Sequence, residues 1–211
     1  MTLNDKLHFI GIKVNKNTSS TMNADLESTF LEAALLCPKD HRLASLLFSW
    51  LNVHGNYIIV DKLRKLVAQN QISTLQRNWI TALAIFGKKH CSHKWKMLVS
   101  APNKDEFLLP ESISKSAIKL KGAEEWLSCF HLLLPKNSLR IRDSDIKSAA
   151  ELIKVNNQYR NRYLYGPSWR ADIITAIQEG INTPSSISKR IGCSYEPAHR
   201  IFQEYLLATR L

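Results

Sequence analysis

The chain has 211 residues, 45% of them hydrophobic and 22% charged, the balance of a globular protein long enough to bury a proper core. No apolar run approaches the ~20 residues that a bilayer demands, and the N-terminus lacks the pattern of a signal peptide, so a cytoplasmic protein without membrane contact is expected. The formal net charge of +11 points to a polyanionic partner, nucleic acid first, because each neutralised phosphate releases condensed counterions.

The basic excess sits in two blocks. Residues 51–100 hold eight basic side chains against one acidic, and residues 136–170 hold eight against three. Elsewhere the signs nearly balance. Cys37, Cys91, Cys129 and Cys193 are scattered, which reads as reduced thiols.

In chain order, residues 1–22 are polar with little periodicity and are expected as a flexible arm, with at most a short strand at "HFIGIKV". Leu26, Phe30, Leu31, Ala34 and Leu35 then share one helical face up to Pro38, and Leu43, Leu46, Leu47, Trp50 and Leu51 form a second. Asp61 is the expected cap of a short helix. Ser73 or Thr74 caps a longer one, with Leu75, Trp79, Ala82, Leu83 and Phe86 inward and Gly87 at its end. "HKWKMLVS" alternates as a strand does. This succession is that of a winged-helix-like domain over residues 23–110.

The best break lies between Ser100 and Ser112, leaving residues 111–211 as a C-terminal domain. "AEEWLSCFHLLLP" reads as a buried helix whose apolar half fits a strand as well. Asp143 or Ser144 is expected to cap a helix carrying Ile146, Ala149, Ala150, Ile153 and Val155.

The sharpest local signal is "NTPSSISKRIGCSYEPAHRIFQEYLLA". Thr183 followed by Pro184 is a cap residue before a first-turn proline, Gly192 supplies a tight turn, and Ser194 can open the next helix. A preceding helix, Trp169 to Glu179, presents Ile173, Ile174 and Ile177. The last helix has Ala198, Ile201, Phe202, Tyr205 and Leu206 on one face and Glu196, His199, Arg200 and Gln203 on the other. That is a helix-turn-helix, with its polar residues in the half that reads bases. Arginine can bond guanine bidentately and glutamine adenine. The same polar face also suits a solvated helical bundle.

Tyr195, His199, Arg200 and Gln203 are therefore expected at base edges or beside them. Ser185, Ser186, Lys189 and Arg190 are expected at phosphates, joined by Arg160, Arg162 and Arg170 from "NNQYRNRYLYGPSWRADI". Arg64, Lys65, Arg77, Lys88 and Lys89 are expected to form a second basic surface. Glu196 and Glu204 oppose phosphate contact, and no wing follows the last helix.

Signals for chemistry are absent or weak. There is no phosphate-cradling GxxxxGK[ST], no GxGxxG and no nucleophile elbow. His90, Cys91 and His93 in "KKHCSHKW" lack a second pair at zinc-site spacing. Glu124 and Glu125 are adjacent and point apart. We expect no catalytic residue, no metal and no cofactor.

"LRIRD", "QYRNRYLYGPSWRADIITAI" and the helix-turn-helix after them resemble winged-helix regulators of the abortive-infection, type IV antitoxin-like (AbiEi-like) proteins, encoded beside nucleotidyltransferase-type toxins. "LASLLFSWLNVHGNYIIVDKLRKLV", "RNWITALAIF" and "HKWKML" look similar to the earlier half of those proteins. The resemblance covers Leu43 to Ala208 and implies a transcriptional repressor with a cognate toxin or defence-system protein as partner.

The expected fold is mainly α: two helix-turn-helix (winged-helix-like) modules with a few short β-strands. The expected function is sequence-specific binding of double-stranded DNA, as a homodimer where the operator is two-fold symmetric, although two modules in one chain could read an asymmetric site alone. The alternative is a non-catalytic component of a defence or toxin–antitoxin complex, binding protein or RNA.

Overall fold

Short polar side chains set most helix starts in this chain. The computed structural model describes residues 2–15 and 24–209. Helix α1 (Leu3–Phe9) opens on Thr2, whose hydroxyl accepts from the Asp5 N–H while the Asp5 carboxylate accepts from the Thr2 N–H. Leu7, Ile10 and Ile12 are buried, and the Trp50 indole donates to the Ile10 carbonyl at 2.8 Å. Lys13 N–H donates to Asp145, and Lys147 N–H to Gly11, an antiparallel bridge. Over residues 2–15 the expected flexible arm is thus corrected to a capped helix and an extended piece, anchored by three apolar side chains. The remainder of that arm, 16–22, lies outside the described residues.

Helices α2 (Leu26–Ala34) and α3 (His41–His54) start at Asp25 and Asp40 and bury the expected faces. In α4 (Val60–Gln69), Asp61 lies inside the first turn rather than at the cap; the Ile59 N–H instead donates to Glu27 at 2.8 Å. Ser73 and Gln76 form a reciprocal cap on α5 (Thr74–His90). This helix passes through Gly87 and continues to His90. A Cβ at Gly87 would stand 2.5 Å from the Trp95 ring, so the glycine is a notch for that indole rather than a stop. A methyl there would overpack the core, at a cost of about 1–3 kcal/mol.

The strand expected in "HKWKMLVS" is instead a 3₁₀ helix, His93–Leu98. Its buried residues are Trp95 and Leu98, three apart, while Met97 is exposed. That spacing suits a three-residue turn, and burial of the indole outweighs the alternation. The wing strand expected directly after α5 is therefore not formed there.

Strand β1 (Glu106–Phe107), helices α6 (Glu111–Lys121) and α7 (Glu125–Ser128), and strand β2 (Leu132–Leu133) come next. The strands pair in parallel, Glu106 with Leu132 and Phe107 with Leu133. "AEEWLSCFHLLLP" thus splits into one helical turn and a strand. Ser148, not Asp143 or Ser144, caps α8 (Ala149–Val155); Asp143–Asp145 form a 3₁₀ turn. Then follow α9 (Asn157–Tyr165), α10 (Trp169–Gln178), α11 (Pro184–Ile191) and α12 (Tyr195–Thr209). The fold is mainly helical with few short strands.

One large core draws on residues from Leu7 to Tyr159, crossing the expected break between 100 and 112. A second, smaller core lies within α10–α12.

His54 ties α3 to α9 inside the large core. Its Nε2 donates to the Lys147 carbonyl at 2.9 Å, which leaves Nδ1 to accept from the Tyr159 hydroxyl at 2.8 Å. Burial pushes its pKa down from 6.5 to about 4, against the carbonyl bond, which favours the proton. The unfolded chain therefore takes up the proton first. The contribution of the neutral ring is complete above pH 6.5 and fades as pH falls toward 4, by up to about 1.4 kcal/mol per pH unit. Denaturant melts between pH 7 and 4 should show this slope, and it should flatten in His54→Gln. An unchanged slope would remove His54 as its source.

Candidate nucleic-acid interface

The trihelical unit is assembled by its own apolar stripe. Ile173, Ile174 and Ala176 of α10 pack on Ile187 of α11 and on Ala198, Ile201 and Phe202 of α12. The Thr183 hydroxyl accepts from the Ser186 N–H, Pro184 takes the first turn, and Gly192 adopts φ 78°, ψ 22°. That left-handed conformation favours glycine. Ser188 Oγ donates to the Cys193 carbonyl at 2.8 Å and holds the turn closed.

This packing leaves one flank in solvent. Ser185, Ser186, Lys189 and Arg190 on α11 are exposed, as are Tyr195, His199, Arg200 and Gln203 on α12. Tyr195 stacks on His199 with ring centroids 5.8 Å apart. The Arg200 and Gln203 side chains are uncommitted among the described residues. Glu196 is exposed beside them. Arg170 donates to Glu204 at 2.7 Å, which corrects Arg170 as a free phosphate contact and also neutralises one of the two opposing carboxylates.

Arg162 requires a larger correction. It is completely buried, and all five of its N–H bonds are satisfied. Nη1 and Nη2 donate to Glu27 at 2.5 and 2.8 Å, while Nε and Nη2 donate to Asp172 at 2.8 Å each. The Tyr57 carbonyl takes the fifth bond. Lys62 completes the cluster, with Asp25, Glu27 at 3.2 Å and Asp172 at 2.9 Å. Burial alone would raise the Asp25 and Asp172 carboxyls, but Lys62 and Arg162 hold both well below the usual range. Burial would likewise lower Lys62, and the Glu27, Asp172 and Asp25 carboxylates hold it well above. Asp25, Glu27 and Asp172 also stand close enough to share a cation, but the Lys62 ammonium already bonds all three. Arg162 is therefore the joint between the large core and α10, and no phosphate can reach it. Nearby Arg160 is exposed and unpaired among the described residues.

The first basic block divides. Arg64, Arg77, Lys88 and Lys89 are exposed, but α5 is buried at every position from Asn78 to Gly87. Between Asn78 and Gly87 that helix therefore has no free flank. Lys65 donates to the Gly192 carbonyl at 3.3 Å and lies 5.2 Å from the centroid of the Trp169 ring, so it clasps the trihelical unit. Arg140 and Arg142 sit elsewhere, on an extended piece whose N–H groups donate to Ser45 and Ser49 of α3.

In "KKHCSHKW", His90 stacks on Phe86, with centroids 4.2 Å apart. The Cys91 thiol donates to the Leu51 carbonyl, and burial pushes its pKa up to about 11. His93 is exposed. No helix among the described residues is long and apolar enough to cross a membrane. Compared with family models, curated proteins and solved structures, the chain matches none.

Proposed function

We propose that this chain binds double-stranded DNA through α10–α12, with α12 in the major groove, and that it acts without chemistry as a regulator of transcription. The observation that carries this reading is the uncommitted flank of α12, where Arg200 and Gln203 lie one turn apart with His199, opposite the buried Ala198, Ile201 and Phe202. Arg200 and Gln203 are the base-reading pair, and each bidentate contact contributes ~1–3 kcal/mol of discrimination. Ser185, Ser186, Lys189, Arg190 and Arg160 supply phosphate contacts. A two-fold operator calls for two copies of the chain. The resemblance to antitoxin-like repressors supports the same reading and adds a toxin or defence-system partner.

Titration of a fluorescent duplex across salt concentrations tests this. Affinity should fall steeply as salt rises, and Lys189→Ala with Arg190→Ala should make the log–log slope shallower by about 1.8, two contacts at ~0.9 each. Absence of duplex binding at low salt would overturn the proposal.

One observation favours the alternative, a non-catalytic component of a protein complex. Between α4, α5 and the 97–100 segment runs a groove of about 260 Å³, walled by Val67, Ile72, Ile80 and Met97. Arg64 and Arg77 flank it, and among the described residues no carboxylate lines it. An acidic, apolar protein segment has the complementary chemistry.

A further inference from the structure

A cavity of about 410 Å³ lies where the trihelical unit meets the large core. Its floor is the ion cluster, with Lys62, Asp25 and Asp172 engaged with one another and Gln158 bonded to both carboxylates. Its mouth differs in character. Lys189 and Arg190, from the last turn of α11, have no partner among the described residues. Among the described residues, Lys65 engages the Gly192 carbonyl and the Trp169 ring. Three cations therefore line one rim, where Glu179 is the only carboxylate among the described residues besides those of the floor. Trp169 and Ile191 contribute flat and apolar wall, and the Trp169 indole N–H and the Gln69 amide make no hydrogen bond among the described residues.

We propose that this cavity binds a small phosphorylated ligand with a planar ring, of the nucleotide class. Multiple negative charges on one compact group match Lys189 and Arg190, which no described carboxylate pairs, with the Lys65 ammonium beside them. The flat wall at Trp169 receives the ring, and the free N–H and amide give it polar contacts. The volume falls in the ~300–1,000 Å³ range of small-molecule sites, and an interface between two packed units is where such sites concentrate. A ligand seated there touches α4, α10 and α11 together, and so bears on the pose of α12. Lys189 and Arg190 are also phosphate anchors in the DNA reading. On that reading, and only on it, ligand and duplex compete.

Calorimetric titration of the full chain with ADP, in the absence of DNA, tests the site by itself. ADP should bind one per chain, and at least tenfold more weakly to the Lys189→Ala, Arg190→Ala double variant, whose exposed positions leave both cores intact. Pyrophosphate should bind more weakly than ADP. Failure of ADP to bind at millimolar concentration, or equal affinity in the double variant, overturns the site; pyrophosphate binding as tightly as ADP overturns the ring contact. Repetition with a bound fluorescent duplex tests the competition: ADP should displace it, and a duplex unaffected by saturating ADP overturns that link. Should ADP bind to a chain that binds no duplex, the DNA reading fails and the nucleotide site stands.

Discussion

Replacing Arg162 with alanine is expected to destabilise the folded chain by about 3–5 kcal/mol, the range found when one member of a buried ion network is removed. The change strands Glu27 and Asp172, buried carboxylates that each receive two bonds from the guanidinium, and leaves three carboxylates facing Lys62 alone. Lysine at this position should rescue little, because one ammonium cannot span Glu27, Asp172 and the Tyr57 carbonyl together. Two residues away, Arg160→Ala should stay within about 0.5 kcal/mol, as exposed unpaired positions do. Urea melts followed by circular dichroism check both. Similar losses for the two variants would contradict the cluster as the joint between α10 and the large core.

Phe202→Ala should cost about 3 kcal/mol, yet in one place. Phe202 belongs to the small core of α10–α12, which is separate from the large one. Local units of this kind open at their own free energy. Hydrogen exchange should therefore lose protection across α10–α12 while the amides of α2, α3 and α5 keep theirs, and duplex binding should vanish with the unit. Uniform loss across the chain would show that the two cores unfold as one.

The contrast between these two sites also explains what the sequence made legible. The trihelical unit is written in neighbouring letters: Thr183 before Pro184, Gly192 at the turn, Ile187 and Ile191 one helical turn apart, then Ala198, Ile201 and Phe202. Its geometry follows from local rules, and so do the inner faces of α2 and α3. The ion cluster is assembled from positions 25, 27, 62, 162 and 172, which share no local pattern. Arg162 between two tyrosines thus read as a phosphate contact. The same limit hid the sealing of α5. Its polar Asn78 and Thr81 look solvated in a linear pattern, but both are buried, and Thr81 Oγ1 donates to the Ser100 carbonyl. Periodicity identifies one apolar face and does not reveal how many sides neighbours cover. At "HKWKMLVS" the alternation was real, but a large indole needing the Gly87 notch determined the local geometry.

Charge told a similar story. The net excess pointed to a polyanion, but of the arginines and lysines singled out, Arg162 is buried, Arg170 is neutralised by Glu204, and Lys65 is turned toward Trp169. Among the described residues, Lys189, Arg190, Arg200 and Arg160 remain without a charged partner near the last helix, a smaller and better-defined set.

Selection from a pool of randomised duplexes puts the central claim to the most direct test. The wild-type chain should enrich a defined sequence, Arg200→Ala with Gln203→Ala should lose that enrichment while still binding duplex weakly at low salt, and Arg64→Ala with Arg77→Ala should keep it. No enrichment by the wild type, or the same enriched sequence from the Arg200, Gln203 variant, would contradict α12 as the reading helix.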